Sequence, residues 1–133
     1  MAMHLIVCID ERNGMSFQGR RQSSDRLLRE DLLALVGNGV LWMSPYSVAQ
    51  FESRANIRAD ENFLALAGDG EYCFCETCLP EENIESIILY RWNRHYPADF
   101  HFPQELLDSR LPVQVTEFPG FSHETITREV YVD

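Results

Sequence analysis

The chain has 133 residues and a formal net charge of −10, with eleven arginines and no lysine. That length suits one domain, 1–133, with a real core, and a pI near 4.7 argues against extended binding to nucleic-acid phosphates. No apolar run reaches the roughly 18–20 residues of a membrane-spanning helix, and the default compartment is the cytoplasm.

Leu5 to Ile9 is a continuous apolar run, read as a strand buried on both faces rather than a signal peptide. Asn13-Gly14 marks a turn. Ser23 or Ser24 can cap a helix whose apolar positions Leu27, Leu28, Leu32, Leu35 and Val36 recur at helical spacing, with Gly37 as its stop. "VLWM" (40–43) is a second short strand, and Ser44-Pro45 starts a short helix. "SRANIRAD" reads as a polar connector, after which Asp60 caps a helix that ends at Gly68. "EYCFCE" (71–76) is a third strand, Pro80 opens a helical turn, and "SIILYRW" (86–92) is a fourth strand. "PVQVTEF" (112–118) and "ETITREVYV" (124–132) alternate as an antiparallel pair joined through "PGFSH". The order predicts an α/β fold, a mostly parallel sheet flanked by helices with an antiparallel C-terminal strand pair.

Five of the eleven arginines stand in "ERNGMSFQGRRQSSDRLLRE", residues 11–30. Arginine's planar fork suits phosphate or carboxylate, so this cluster either holds a small anion or pairs with acids such as Glu30 and Asp31. "YCFCETC" brings Cys73, Cys75 and Cys78 together; they are weak metal candidates, with His95, His101 or His123 as a fourth ligand, or ordinary core thiols. A disulfide does not suit a cytoplasmic chain. In "YRWNRHYP", Tyr90 and Trp92 either pack one strand face against a helix or belong to a ligand-stacking loop at a strand's carboxyl end. Nothing marks Asp10, Glu11, Asp25 or Asp31 as buried, so all four read as solvated. Ser44, Ser47 and Ser122 lack a nucleophile-elbow pattern.

The stretches "LIVCIDERNGM", "VLWMSPYSVAQF", "GEYCFCETCLPEENIESIILYRW", "ADFHFP", "VQVTEF" and "ETITREVYV" together resemble, in order, the dihydrofolate reductases. The resemblance implies that family's fold and a nicotinamide cofactor, NADPH. It also implies a proton donor, for which Asp25 and Asp31 are the positions on offer. The family's Gly-Gly pair, where backbone approaches the cofactor's phosphates, is replaced by Cys75 and Glu76, and a glutamate there repels a diphosphate. The resemblance extends to short bacterial proteins, some carrying a ribonuclease Z label. That activity needs a His-x-His-x-Asp-His cluster for zinc, and His4, His95, His101 and His123 are too far apart to form one.

The leading expectation is a protein that binds a small anionic or nucleotide-like molecule. Arg20 and Arg21 would meet the anion, and Trp42 or Tyr46 would stack on it. The alternatives are an NADPH-dependent reductase with degenerate cofactor contacts, and a protein-interaction module that oligomerises or holds a protein partner.

Overall fold

The centre of the fold is set by two strands whose residues are apolar on both faces, β1 (Met3–Ile9) and β7 (Ile84–Arg91). They pair in parallel, with Leu5 beside Ile87 and Val7 beside Leu89. This computed structural model describes residues 2–133. On the far side of β1 lies β6 (Tyr72–Phe74), then β4 (Leu41–Met43), then β5 (Ile57–Ala59), all parallel. Beyond β7 come β10 (Ile126–Val132) and β9 (Leu111–Phe118), both pairings antiparallel. The seven-stranded order is β5-β4-β6-β1-β7-β10-β9, so the parallel sheet and its antiparallel closing pair are as the sequence predicts.

The pleat sorts the core into two layers, because successive side chains point to opposite faces. Leu5, Val7 and Ile9 meet Ile87 and Leu89 on one face, which two single-turn helices cover, α3 (Phe63–Leu66) and α4 (Glu105–Asp108). Ile6, Ile88, Tyr90 and Trp92 form the other layer under α1 (Arg26–Val36). That helix buries Leu28, Leu32 and Val36, four residues apart on one stripe. Burying each of these side chains is worth roughly 1.5–3 kcal/mol, more than intrinsic helix propensity supplies. Gly37 ends α1 at φ +59°, where a side chain would be strained, and its N–H reaches Leu33 O.

Several short elements depart from the sequence reading. Asp25, not Ser23 or Ser24, caps α1, its carboxylate accepting from the Leu27 and Leu28 N–H groups. "SRANIRAD" contributes β5 to the sheet edge, and Pro80 opens no helix. The segment after β1 folds into β2 (Gly14–Phe17) and β3 (Arg20–Arg21), which join β8 (Phe100–His101) in a small antiparallel sheet. The Ser44-Pro45 start is observed: Ser44 Oγ accepts from Ser47 N–H at the head of α2 (Pro45–Val48). The chain edge β9 exposes Leu111, Val113 and Val115 on one side of the strand. Among the described residues no helix is long and apolar enough to cross a membrane.

Candidate functional site

The carboxyl ends of β1, β6 and β7 open toward the segment 10–25, the usual place for a ligand site in an open α/β sheet. Asp10, at the end of β1, is buried and organises this segment. It accepts from the backbone N–H groups of Arg12 (2.8 Å), Gly14 (2.7 Å) and Tyr96 (3.2 Å), and from Gln22 Nε2 (3.0 Å). Burial alone raises its pKa, but these donors outweigh that and lower it.

Asp25 is buried as deeply and is more heavily bonded. Besides capping α1 it accepts from Phe121 N–H (3.0 Å), Ser122 N–H (2.9 Å), Ser122 Oγ (3.2 Å) and His123 Nδ1 (2.9 Å). Desolvation is the largest single influence and pushes the carboxyl upward. The bonds from Phe121, His123, Ser122 and Leu28 together overcome it and hold Asp25 far below the usual carboxylate range. Asp25 thus joins the head of α1 to the loop between β9 and β10. The approach is close enough to require glycine at position 120. A Cβ there would stand 2.8 Å from Asp25 Oδ2 and from His123 O. Gly120→Ala is expected to cost about 2 kcal/mol through this overpacking, read as a lower urea midpoint at unchanged slope.

Below the head of α2, Glu76 is nearly enclosed. Its carboxylate accepts from Arg21 Nε (2.9 Å), Ser47 Oγ (2.8 Å) and Gln50 Nε2 (3.0 Å). Arg21 is fixed on its other side by Tyr46, whose ring it covers at 4.3 Å and whose carbonyl it also bonds. Cys8, Met15, Gln22, Ser23, Cys75 and Trp92 complete the walls of a cleft here, and its free volume is only about 10 Å³, room for one water.

A larger space lies on the outer side of α1. Arg26, Arg29, Glu30 and Leu33 of α1 and Gln50, Phe51, Glu52 and Arg54 line a groove of about 490 Å³. Arg26 reaches Glu30 only at 3.7 Å, and among the described residues neither Arg29 nor Arg54 forms an ion pair.

The residues expected to form one pocket separate. Arg20 is exposed at the rim, Arg21 is held by Glu76, and Tyr46 lies beside Arg21 with its hydroxyl accepting the Arg21 N–H. Trp42 packs into the layer under α3, donates its indole N–H to Glu71 and lies under Arg58. Asp10 and Asp25 are buried rather than solvated. Asp31 turns to the sheet, accepting from Tyr90 O–H and Arg128 Nη1, both at 2.7 Å. Tyr90 and Trp92 share the layer under α1.

Cys73 and Cys75 lie buried in the layer under α3. Burial raises Cys73 to about 12, and a bond from Cys75 to Cys78, with burial, keeps Cys75 a thiol. Among the described residues no cluster of three or more His, Cys, Asp or Glu is placed to hold a metal ion. The sequence reading missed Arg54, which offers only its type as a signal. It named His123 only as a possible ligand beside the cysteines, whereas His123 sits between Ser23 and Asp25.

No protein-family model and no curated protein matches the chain. Among solved structures it is similar to the dihydrofolate reductase of Enterococcus faecalis in complex with NADP(H) and RAB-propyl. Identity is 10% over 98% of this chain and 95% of that one, with a TM-score of 0.67. The chain therefore has a dihydrofolate reductase-like fold.

Proposed function

We propose that the protein binds a small anionic, nucleotide-like molecule in the groove between α1 and the segment 50–54. The observation that carries this reading is the meeting of Arg26, Arg29 and Arg54 around about 490 Å³ of free space in a strongly acidic chain. The volume falls within the range of small-molecule pockets, and Leu33 with Phe51 gives an apolar wall for a ring. Arg26 is taken up by Glu30 and the Phe121 ring, but Arg29 and Arg54 have no carboxylate partner among the described residues. Such guanidinium groups are natural ligands of phosphate or carboxylate oxygens. The arginines of residues 20–29 thus divide their labour. Arg21 braces the loop through Glu76, while Arg26 and Arg29 face the groove.

The fold similarity brings in nucleotide or cofactor binding as a general property, but the cleft at the end of β6 does not fit a dinucleotide's diphosphate. Glu76 places a carboxylate there, and the free volume suits one water. Asp25 is taken up as an acceptor by the head of α1 and by Phe121, Ser122 and His123, donors that lower its pKa and work against a proton-donor role. A reductase therefore draws no support from this site. An interaction module draws on one observation, the exposed Leu111, Val113 and Val115 along β9, and it predicts a dimer or complex in place of ligand binding.

Thermal unfolding in the presence of pyrophosphate, AMP, ADP, citrate and NADPH tests the proposal. Stabilisation follows RT ln(1 + [L]/Kd), about 2.7 kcal/mol at a hundredfold excess over Kd. A saturable rise in Tm is expected with at least one multivalent anion, weakening as salt is added. No shift with any of them at millimolar concentration would refute anion binding.

A further inference from the structure

Three side chains that anion binding does not use meet at the head of α1. Ser23 Oγ lies 3.0 Å from His123 Nε2, and His123 Nδ1 lies 2.9 Å from Asp25 Oδ2. We propose that Ser23 is a nucleophile activated by His123 and Asp25, and that the protein hydrolyses small carboxylic esters.

The parts have the geometry that such chemistry requires: a hydroxyl on a base, and the base on a group that orients it. In the tautomer with its proton on Nδ1, His123 donates to Asp25 and turns the lone pair of Nε2 toward Ser23. Trp92 stacks on the imidazole at 4.6 Å, with planes 25° apart, and fixes its plane. His123 and Asp25 are buried, while Ser23 is half-buried.

The reaction closes without any further reagent but water. Ser23 Oγ bonds to the ester carbon as His123 Nε2 takes its proton, giving the tetrahedral intermediate. The bond from carbon to the alcohol oxygen then breaks, and that oxygen leaves with the proton from Nε2. Water attacks the acyl-serine, giving its proton to Nε2, and the carboxylic acid departs as Ser23 Oγ recovers a proton.

Tyr96 makes the proposal distinctive. Its hydroxyl also lies 3.0 Å from His123 Nε2, and one lone pair cannot accept from Ser23 and Tyr96 together. Tyr96 therefore restrains Ser23, and Tyr96→Phe should release it.

The test treats the full chain with a fluorophosphonate, which leaves Ser23 phosphonylated with loss of HF, and reads intact mass and the labelled peptide. One label on Ser23 is expected in the unmodified protein. None is expected in Ser23→Ala, whose Tm should be little changed because the residue is half-buried. In Tyr96→Phe the labelling rate should rise about twofold, as Ser23 gains the share of Nε2 that Tyr96 held. Turnover of p-nitrophenyl butyrate should follow the same order. Absence of label on Ser23 in both the unmodified protein and Tyr96→Phe would overturn the proposal. So would equal labelling and turnover in Ser23→Ala. Either failure leaves the arginine groove untouched, since none of its residues takes part.

Discussion

Replacing Asp25 with alanine is expected to lower the unfolding free energy by about 4 kcal/mol, the sum of a lost helix cap and several orphaned buried donors. The cap alone accounts for about 1 kcal/mol. The rest comes from Phe121 N–H, Ser122 N–H and His123 Nδ1, which lose an acceptor within a closely packed region around Gly120. Water entering the space recovers part of that cost, which keeps the total below the sum of the full penalties. Asp25→Asn preserves the shape and one acceptor, and about half the loss is expected. Ser24→Ala, at an exposed position with no role in the cap, should change stability by less than about 0.5 kcal/mol. Urea denaturation of the three variants separates these outcomes. A loss near 1 kcal/mol for Asp25→Ala would mean that the carboxylate only caps α1 and does not tie the loop at 119–125 to it.

The same carboxylate gives the protein an acid limb of known sign. Its folded pKa is depressed, so its contribution is complete above the unfolded value of about 3.9 and is lost as pH falls toward the folded value. Asp10 is shifted in the same direction and adds to the loss. Stability should therefore fall steeply below about pH 4, and Asp25→Asn should flatten that limb.

The second large effect concerns binding. Arg29→Ala combined with Arg54→Ala should weaken the best anion found by thermal shift about 100-fold. Each charge-assisted hydrogen bond is worth roughly 1.5–3 kcal/mol, and the half-buried Arg29 and the exposed Arg54 stand at the lower end. Together they come to about 3 kcal/mol, and 1.4 kcal/mol is tenfold. Stability of the double variant should hardly change, because among the described residues neither arginine makes an ion pair that would be broken. Arg21→Ala should behave in the opposite way. It leaves Glu76 without its cation and lowers stability, with little effect on anion affinity. Titration calorimetry on both variants distinguishes the two roles.

What was legible in the sequence follows the range of the interactions concerned. Leu28, Leu32 and Val36 announce α1 by spacing alone, and the apolar runs through Leu5–Ile9 and 86–92 announce β1 and β7. These features depend only on periodicity, which any window of the chain reveals. The α1 cap was harder, because Ser23, Ser24 and Asp25 are three capping types in a row. The choice falls on Asp25 through donors from Phe121 and Ser122, nearly a hundred residues away. His123 joins Ser23 and Asp25 across the same gap, with no local signature. Arg54 meets Arg26 and Arg29 only where the segment 50–54 borders the outer side of α1. Trp42 shows the converse failure. A tryptophan near a strand's carboxyl end suggested stacking, but the alternation of the pleat sends its ring to the face away from α1.

The most direct test of the groove is an NMR titration that follows the arginine side-chain Nε–H signals of the 15N-labelled chain as pyrophosphate is added. The signals of Arg26, Arg29 and Arg54 should shift together and saturate at one ligand per chain, while that of Arg21, held by Glu76, stays in place. Saturable shifts at Arg20 and Arg21 with the groove unmoved would contradict the account and return the anion to the loop before α1.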